Sequence, residues 1–111
     1  MRRVLLLFCI GVFAAMVAVT TWASLESNVA LGFARVAADR WGLATLFDAY
    51  FGFLWFWLWI LWKEPRWASR LLWLGLLLAL GNLAIAAFVG IQAWRWREEQ
   101  GVEALLAGRN P

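Results

Sequence analysis

Three long apolar runs dominate the chain, and polar residues separate them. The runs cover residues 4–21, 43–62 and 71–94. A transmembrane helix needs about 20 apolar residues to cross a hydrocarbon core about 30 Å thick. The pattern therefore predicts spans over residues 4–22, 44–62 and 71–94. We expect an all-α integral membrane protein with three transmembrane helices, folded as a single membrane domain over residues 1–111.

The first run also has the layout of a secretory signal peptide, because Arg2 and Arg3 precede it. A signal peptidase needs small residues around its cleavage site. Residues 21–23 form a poor cleavage site, because Trp22 crowds it. The sequence therefore favours an uncleaved transmembrane helix over a removed signal peptide.

The segments between and after the runs are more polar. In residues 24–42, Leu25, Val29 and Phe33 recur at helical spacing among charged residues, which predicts an amphipathic helix at the membrane interface. Pro65 lies in the short break at residues 63–66, so the second and third helices should form an antiparallel pair. The tail, residues 95–111, is polar, and its apolar residues near Leu105 allow a short docked helix.

The start of the second span contains a candidate polar site formed by Thr45, Asp48 and Tyr50. Thr45 and Asp48 have the spacing of a capping box, which predicts that the helix begins at Thr45. Asp48 is the only ionisable residue inside a predicted span, and such residues are functional candidates. Helix capping or interfacial anchoring is the main interpretation. The alternatives are a proton-linked or ligand-binding role, or a salt bridge to Arg40 or Arg95.

Two stripes of small residues recur at helical spacing, and small residues let helices approach closely in lipid. Both are candidates for helix packing or partner binding. The first span contributes Gly11, Ala15 and Ala18, and the third contributes Gly75, Ala79, Asn82, Ala86 and Gly90. Packing within the protein is the simpler interpretation, and binding of a partner helix is the alternative. Asn82, near the middle of its predicted span, is expected to hydrogen-bond to a neighbouring helix, with a ligand site as the alternative.

Ten tryptophans are unusual in 111 residues. Most lie near the ends of the runs, where an aromatic belt is expected. Trp55, Trp57 and Trp59 lie deeper, and each indole N–H needs an acceptor. They are candidate contacts for a lipid or a pigment, although packing alone also explains them.

Composition supports the membrane prediction and narrows the chemistry. Hydrophobic residues make up 65% of the chain, charged residues 15%, and histidine is absent. Without histidine, and with Cys9 as the single cysteine, we expect no catalytic or metal site and no enzyme activity. No cofactor is predicted, while a bound lipid, carotenoid or quinone stays an alternative. The net charge of +3 comes from cations at the ends of the runs, so no nucleic-acid partner is expected.

Three spans would place the two termini on opposite sides of the membrane. Each side would then carry five of the ten Lys and Arg residues. The cations beside the first helix and in the short loop count most, which favours a cytoplasmic N-terminus and an external C-terminus. The Arg-rich, Lys-poor composition favours a bacterial cytoplasmic membrane.

Residues 41–92 resemble a family of small membrane proteins known as domain of unknown function 1475, found in bacteria and plants. The resemblance rests on residues 41–50 (WGLATLFDAY), on an aromatic helix that ends in Lys63-Glu64, and on Gly81 in the third run. It marks Thr45, Asp48, Tyr50, Lys63 and Glu64 as a family signature. It implies a fold but no activity.

The function expected is that of a non-enzymatic accessory subunit in a larger membrane complex, with an energy-transducing complex, respiratory or photosynthetic, as the first guess. Other integral membrane subunits and the lipid bilayer are the expected partners. One alternative is a small proton-linked transporter that uses Asp48. The other is a factor that contacts lipid, carotenoid or quinone through Trp55, Trp57 and Trp59.

Overall fold

The computed structural model describes residues 1–110, and every regular element in that range is helical. Two helices, the first and the third, are long and apolar enough to cross a membrane. The elements in chain order are α1 (Arg2–Ser24), α2 (Val29–Ala38), α3 (Arg40–Lys63), α4 (Trp67–Leu80), α5 (Asn82–Arg95), a 3-10 turn (Glu98–Gln100) and α6 (Val102–Ala107).

Side-chain caps define the region between the two long helices. Asn28 accepts a hydrogen bond from the Leu31 amide at 2.8 Å and starts α2. Asp39 ends α2 and starts α3, where its carboxylate accepts from the Gly42 amide at 3.0 Å. A helix, α2, is therefore present in the segment 24–42, for which an amphipathic helix at the membrane interface was predicted.

The start of α3 corrects the predicted capping box. The helix begins at Arg40, five residues before Thr45, because Asp39 already supplies the cap. The Thr45 hydroxyl instead donates to the Trp41 carbonyl at 2.9 Å, one turn earlier in the same helix. The other end of α3 agrees with the sequence, since Glu64 is extended before Pro65 and α4 turns back along α3.

The third apolar run folds as a helical hairpin, which corrects the prediction of one continuous helix over residues 71–94. Helix α4 ends at Leu80 and α5 begins at Asn82. Trp73 in α4 and Phe88 in α5 have ring centroids 5.0 Å apart, so the two arms lie side by side and antiparallel. Each arm has 14 residues, or about 21 Å of helix, which is shorter than the hydrocarbon core of about 30 Å.

Gly81 forms the turn of this hairpin, and two constraints require glycine there. Its φ is 57° and its ψ is −120°, a conformation that L side chains rarely adopt. In addition, a Cβ atom at this position would lie 2.8 Å from the ring of Phe53. The close packing of α3 against the turn therefore adds to the backbone requirement.

The core is small and lies where α3 meets the hairpin. Ile60, Leu77, Ala84 and Phe88 form its buried centre. Helix α1 packs against the outer side of α5 and has no comparable contact with α3. The accessible surface is 8039 Å², compared with about 6,200 Å² expected for a compact soluble monomer of this mass. Much apolar side chain is therefore left uncovered.

Both chain ends lie at one end of the bundle. The Arg2 amide donates to Glu98 Oε1 at 2.6 Å, and the Asn110 amide donates to the Lys63 carbonyl at 2.8 Å. We call this the polar end, comprising residues 1–3, 63–66 and 95–110. The other end, called the open end, comprises residues 15–49. The hairpin therefore brings both termini to the same end of the bundle.

Candidate functional site

The end of α3 holds the C-terminal helix by its carbonyl groups. Lys63 is 3% exposed, and its Nζ donates to the carbonyl of Leu105 at 2.7 Å and to that of Gly108. The indoles of Trp59 and Trp62 donate to the next two carbonyls, those of residues 106 and 107, at 2.7 and 2.6 Å. These are the groups that a helix C-terminus leaves without partners. These contacts give Lys63, a residue of the family signature, a structural role.

Glu64, the other residue of the signature pair, adds contacts to the C-terminal tail and to α4. Glu64 accepts a hydrogen bond from Asn110 Nδ2 at 2.9 Å. Arg70 donates from Nε to the Glu64 carbonyl at 2.7 Å and lies over the ring of Trp67. These bonds join both the C-terminal tail and α4 to the loop at residues 63–66.

Arg2 performs the equivalent task for α5. Its Nε donates to the Ala93 carbonyl at 3.0 Å and its Nη2 to the Trp94 carbonyl at 2.9 Å. The guanidinium also lies over the Trp94 ring, 5.3 Å from the centroid. A cation at a helix C-terminus is favoured by the helix dipole. The N-terminus of α1 is thereby fixed to the end of α5.

The three residues of the candidate polar site form no hydrogen bonds with one another. Tyr50 donates its hydroxyl to the Leu78 carbonyl in α4 at 3.1 Å. Thr45 is satisfied within α3, as described above. The Asp48 carboxylate is exposed, and no side chain in residues 1–110 hydrogen-bonds or ion-pairs with it. Because α3 begins at Arg40, Asp48 lies in its third turn, which is too far along the helix for a capping role.

The second stripe of small residues is divided between the two arms of the hairpin. Gly75 and Ala79 are exposed on α4, and no other part of the protein would contact a Cβ at Gly75. Ala86 is buried in α5, and a Cβ at Gly90 would meet Cys9 of α1 at 3.7 Å. Asn82 is exposed at the turn, so its amide is not buried between helices as the sequence predicted.

The stripe on α1 is intact and free. Gly11, Ala15 and Ala18 are all exposed, and Gly11 has no other part of the protein near its Cβ position. Cys9, the one buried residue of α1, faces α5. By helical spacing, the three small residues lie on the opposite side of α1 from that contact.

The three deep tryptophans have different roles. Trp57 donates its indole N–H to the Arg70 carbonyl at 2.9 Å, and Trp59 packs edge-on against Phe88 with centroids 5.3 Å apart. Trp55 is 74% exposed. Only Trp55 is therefore placed to contact a lipid or pigment with its whole indole.

A groove lies between α1 and α5. It has a volume of about 630 Å³, and apolar side chains of both helices line it, including Cys9, Phe13 and Ala86. Trp94 and Arg95 stand at its polar end. Sequence patterns gave no signal for this groove, because it depends on how α1 packs against the hairpin.

The described residues offer few groups that could hold a metal ion or a cofactor. Within residues 1–110, no three histidine, cysteine, aspartate or glutamate side chains are grouped closely enough to hold a metal ion. Arg95, the one charged residue that lines the groove, suits an anionic ligand rather than a metal ion.

Comparison with other proteins places the chain in a family. No curated protein and no solved structure matches it. One family model matches residues 2–108, more than the resemblance over residues 41–92 had indicated, since the match also takes in α1 and the tail helix. The chain therefore belongs to the family described as Protein of unknown function (DUF1475).

Proposed function

We propose that this is an integral membrane protein in which α1 and α3 cross the bilayer and the hairpin enters it only part of the way. The lengths of α1 and α3, 23 and 24 residues, support this, since they correspond to about 34 and 36 Å of helix. Their exposed side chains are mostly apolar, which lipid accepts and water does not.

The orientation proposed is with the polar end in the cytoplasm, so that both termini lie there. The ten cations divide unequally between the two ends of the bundle. Arg35 and Arg40 lie at the open end, and the other eight lie at or next to the polar end: Arg2, Arg3, Lys63, Arg66, Arg70, Arg95, Arg97 and Arg109. An excess of Lys and Arg near the ends of spans marks the cytoplasmic side. A bacterial cytoplasmic membrane fits the composition.

Cysteine labelling in intact cells tests this orientation. In a Cys9→Ser background, Glu26→Cys lies at the open end and Glu103→Cys at the polar end. A membrane-impermeant maleimide should label the first in intact cells and the second only after permeabilisation. Three full spans would instead place both on the same side, so labelling of both from outside would overturn the proposal.

The function proposed is that of an accessory subunit that binds a transmembrane helix of a partner protein. The observation that carries it is the free face of α1, where Gly11, Ala15 and Ala18 are exposed on the side of the helix turned away from α5. Hydrophobicity does not drive helices together in lipid, so close approach at small residues is a main source of association. An energy-transducing complex is the first class of partner to test.

A matched pair of variants tests the partner surface. Ala15→Leu with Ala18→Leu fills the face with bulk, while Val17→Leu adds bulk to another exposed face of the same helix. After purification in mild detergent, the wild-type protein and the Val17 variant should remain in a complex larger than 12.7 kDa. The double variant should be released from it. Migration of the wild-type protein alone at its own mass would overturn the proposal.

Asp48 supports a second candidate, a proton-linked transport role. Its carboxylate lies inside a helix long enough to span, and it has no partner among residues 1–110. Intramembrane carboxylates of this kind are costly unless they serve a function. Asp48→Asn keeps the shape and removes the charge, so proton-coupled flux in proteoliposomes should be lost. Unchanged flux excludes this candidate.

A further inference from the structure

The groove between α1 and α5 has the shape of a site for one lipid chain. Small residues on α5, including Ala87 and Gly90, leave the space that α1 does not fill. From Ala86 to Trp94 the α5 wall runs for eight residues, or about 12 Å. Half of a hydrocarbon core of about 30 Å is about 15 Å. The groove therefore suits a chain from one leaflet and is too short for a helix that crosses both.

A polar pocket continues the groove at its cytoplasmic opening. It has a volume of about 430 Å³, shares Trp94 and Arg95 with the groove, and adds Arg97 and Glu99 to its walls. Arg95 and Arg97 are exposed, and their guanidinium groups form no hydrogen bond or ion pair within residues 1–110.

The other charges of the polar pocket are already engaged. Arg2 is bound to the carbonyls at the end of α5. Glu98 accepts from the Arg2 amide and lies 3.7 Å from the α-amino group of Met1. Glu99 is the one remaining acidic group against two free guanidinium groups, so the pocket favours an anion. Guanidinium groups bind phosphate oxygens in pairs of hydrogen bonds.

We propose that this groove binds an anionic phospholipid, with an acyl chain between α1 and α5 and the phosphate at Arg95 and Arg97. The proposal rests on the membrane location proposed above, but it does not need a partner subunit. The chain enters sideways, because the groove is open along its length. The pairing of an apolar groove of one-leaflet length with two free guanidinium groups identifies the ligand class.

Native mass spectrometry of the full chain in mild detergent tests this directly. The wild-type protein, titrated with phosphatidylglycerol or with phosphatidylcholine of the same chains, should hold one phosphatidylglycerol at least ten-fold more tightly. Equal binding of the two lipids would overturn the proposal without any variant. A complex with a partner peptide in the groove, in place of lipid, would overturn it as well.

Two matched pairs of variants locate the site. Arg95→Gln with Arg97→Gln should remove the preference for phosphatidylglycerol, whereas Arg66→Gln, an exposed arginine away from the groove, should keep it. Ala87→Leu should weaken both lipids by filling the groove, and Ala79→Leu on α4 should leave both unchanged. An equal loss in the Arg66 variant would show attraction to overall charge and would contradict the site. Migration of the protein without a partner would end the subunit proposal but leave this result standing.

Discussion

The polar end and the open end of the molecule are built in opposite ways. At the polar end, hydrogen bonds from buried Lys63 tie α3 to α6, and those from Arg2 tie α1 to α5. At the open end, all residues of α1 from Val17 to Ser24 are exposed. The difference shows that the chain leaves the end of α1 uncovered, although α2 packs against the start of α3 nearby. The open end is therefore where a second molecule can contribute most.

The ends of α4, α5 and α6 are completed by side chains from other elements. A helix leaves its last carbonyls unpaired, and lipid offers no donor for them. Tyr50, Arg2 and Lys63 donate to the last carbonyls of α4, α5 and α6 in turn. The start of α5 at the hairpin turn has no side-chain cap. Its first amides are therefore available to water or to a partner.

The largest effect is expected from Phe88→Ala, in the buried core between α3 and the hairpin. Phe88 is fully buried and packs edge-on against Phe56, Trp59 and Trp73. Its removal leaves a cavity, and we expect a loss of about 3–5 kcal/mol of stability. Phe47→Ala, at the open end where the ring is 57% exposed, should cost less than about 1 kcal/mol. Unfolding in mild detergent measures both, and equal losses would show that the core is packed no better than the open end.

Gly81→Ala is expected to have the next largest effect, because it combines backbone strain with a clash. The φ of 57° is unfavourable for alanine, and the new methyl would press on Phe53. Together these should cost about 2–4 kcal/mol. Gly75→Ala is the control, because it lies within α4 with no other part of the protein within 4 Å of the Cβ position. It should be neutral or stabilise α4. A loss of stability there equal to that of Gly81→Ala would contradict the requirement for glycine at the turn.

The sequence predicted the parts of the fold that depend on local pattern. Helices α1 and α3 cover the first two predicted spans, and α6 was predicted from the few apolar residues of the tail. The hairpin could not be predicted, because glycine is common inside transmembrane helices and its φ cannot be read from the chain. The ring that packs on the turn at Gly81 is that of Phe53, which lies 28 residues earlier. The groove between α1 and α5 follows from that turn, and so does the position of both termini at the polar end. Neither was predicted, for the same reason.

Lys63→Met tests whether the hydrogen bonds of Lys63 hold the C-terminal tail against α3. It keeps much of the side-chain volume but leaves the carbonyls of Leu105 and Gly108 without their donor. Each unpaired buried acceptor costs about 1–3 kcal/mol, and release of the tail would relieve that cost. We expect faster amide exchange in residues 102–110 and unchanged exchange in the core. Arg66→Met removes an exposed cation from the same loop and should change neither. A tail that exchanges at the wild-type rate would show that the indoles of Trp59 and Trp62 suffice.

The smallest effect is expected from Tyr50→Phe, at the boundary between the two ends. In a continuous helix the Leu78 carbonyl would accept from the amide of residue 82, but α4 ends at Leu80 and that donor belongs to α5. The Tyr50 hydroxyl takes its place at 3.1 Å. Loss of one such bond should cost about 0.5–1.5 kcal/mol, with the packing of the ring against Phe53 retained. If the hairpin turn admits water from the open end, water will replace the hydroxyl and the cost will fall toward zero. The size of this loss, compared in detergent and in lipid nanodiscs, therefore measures how dry the open end is.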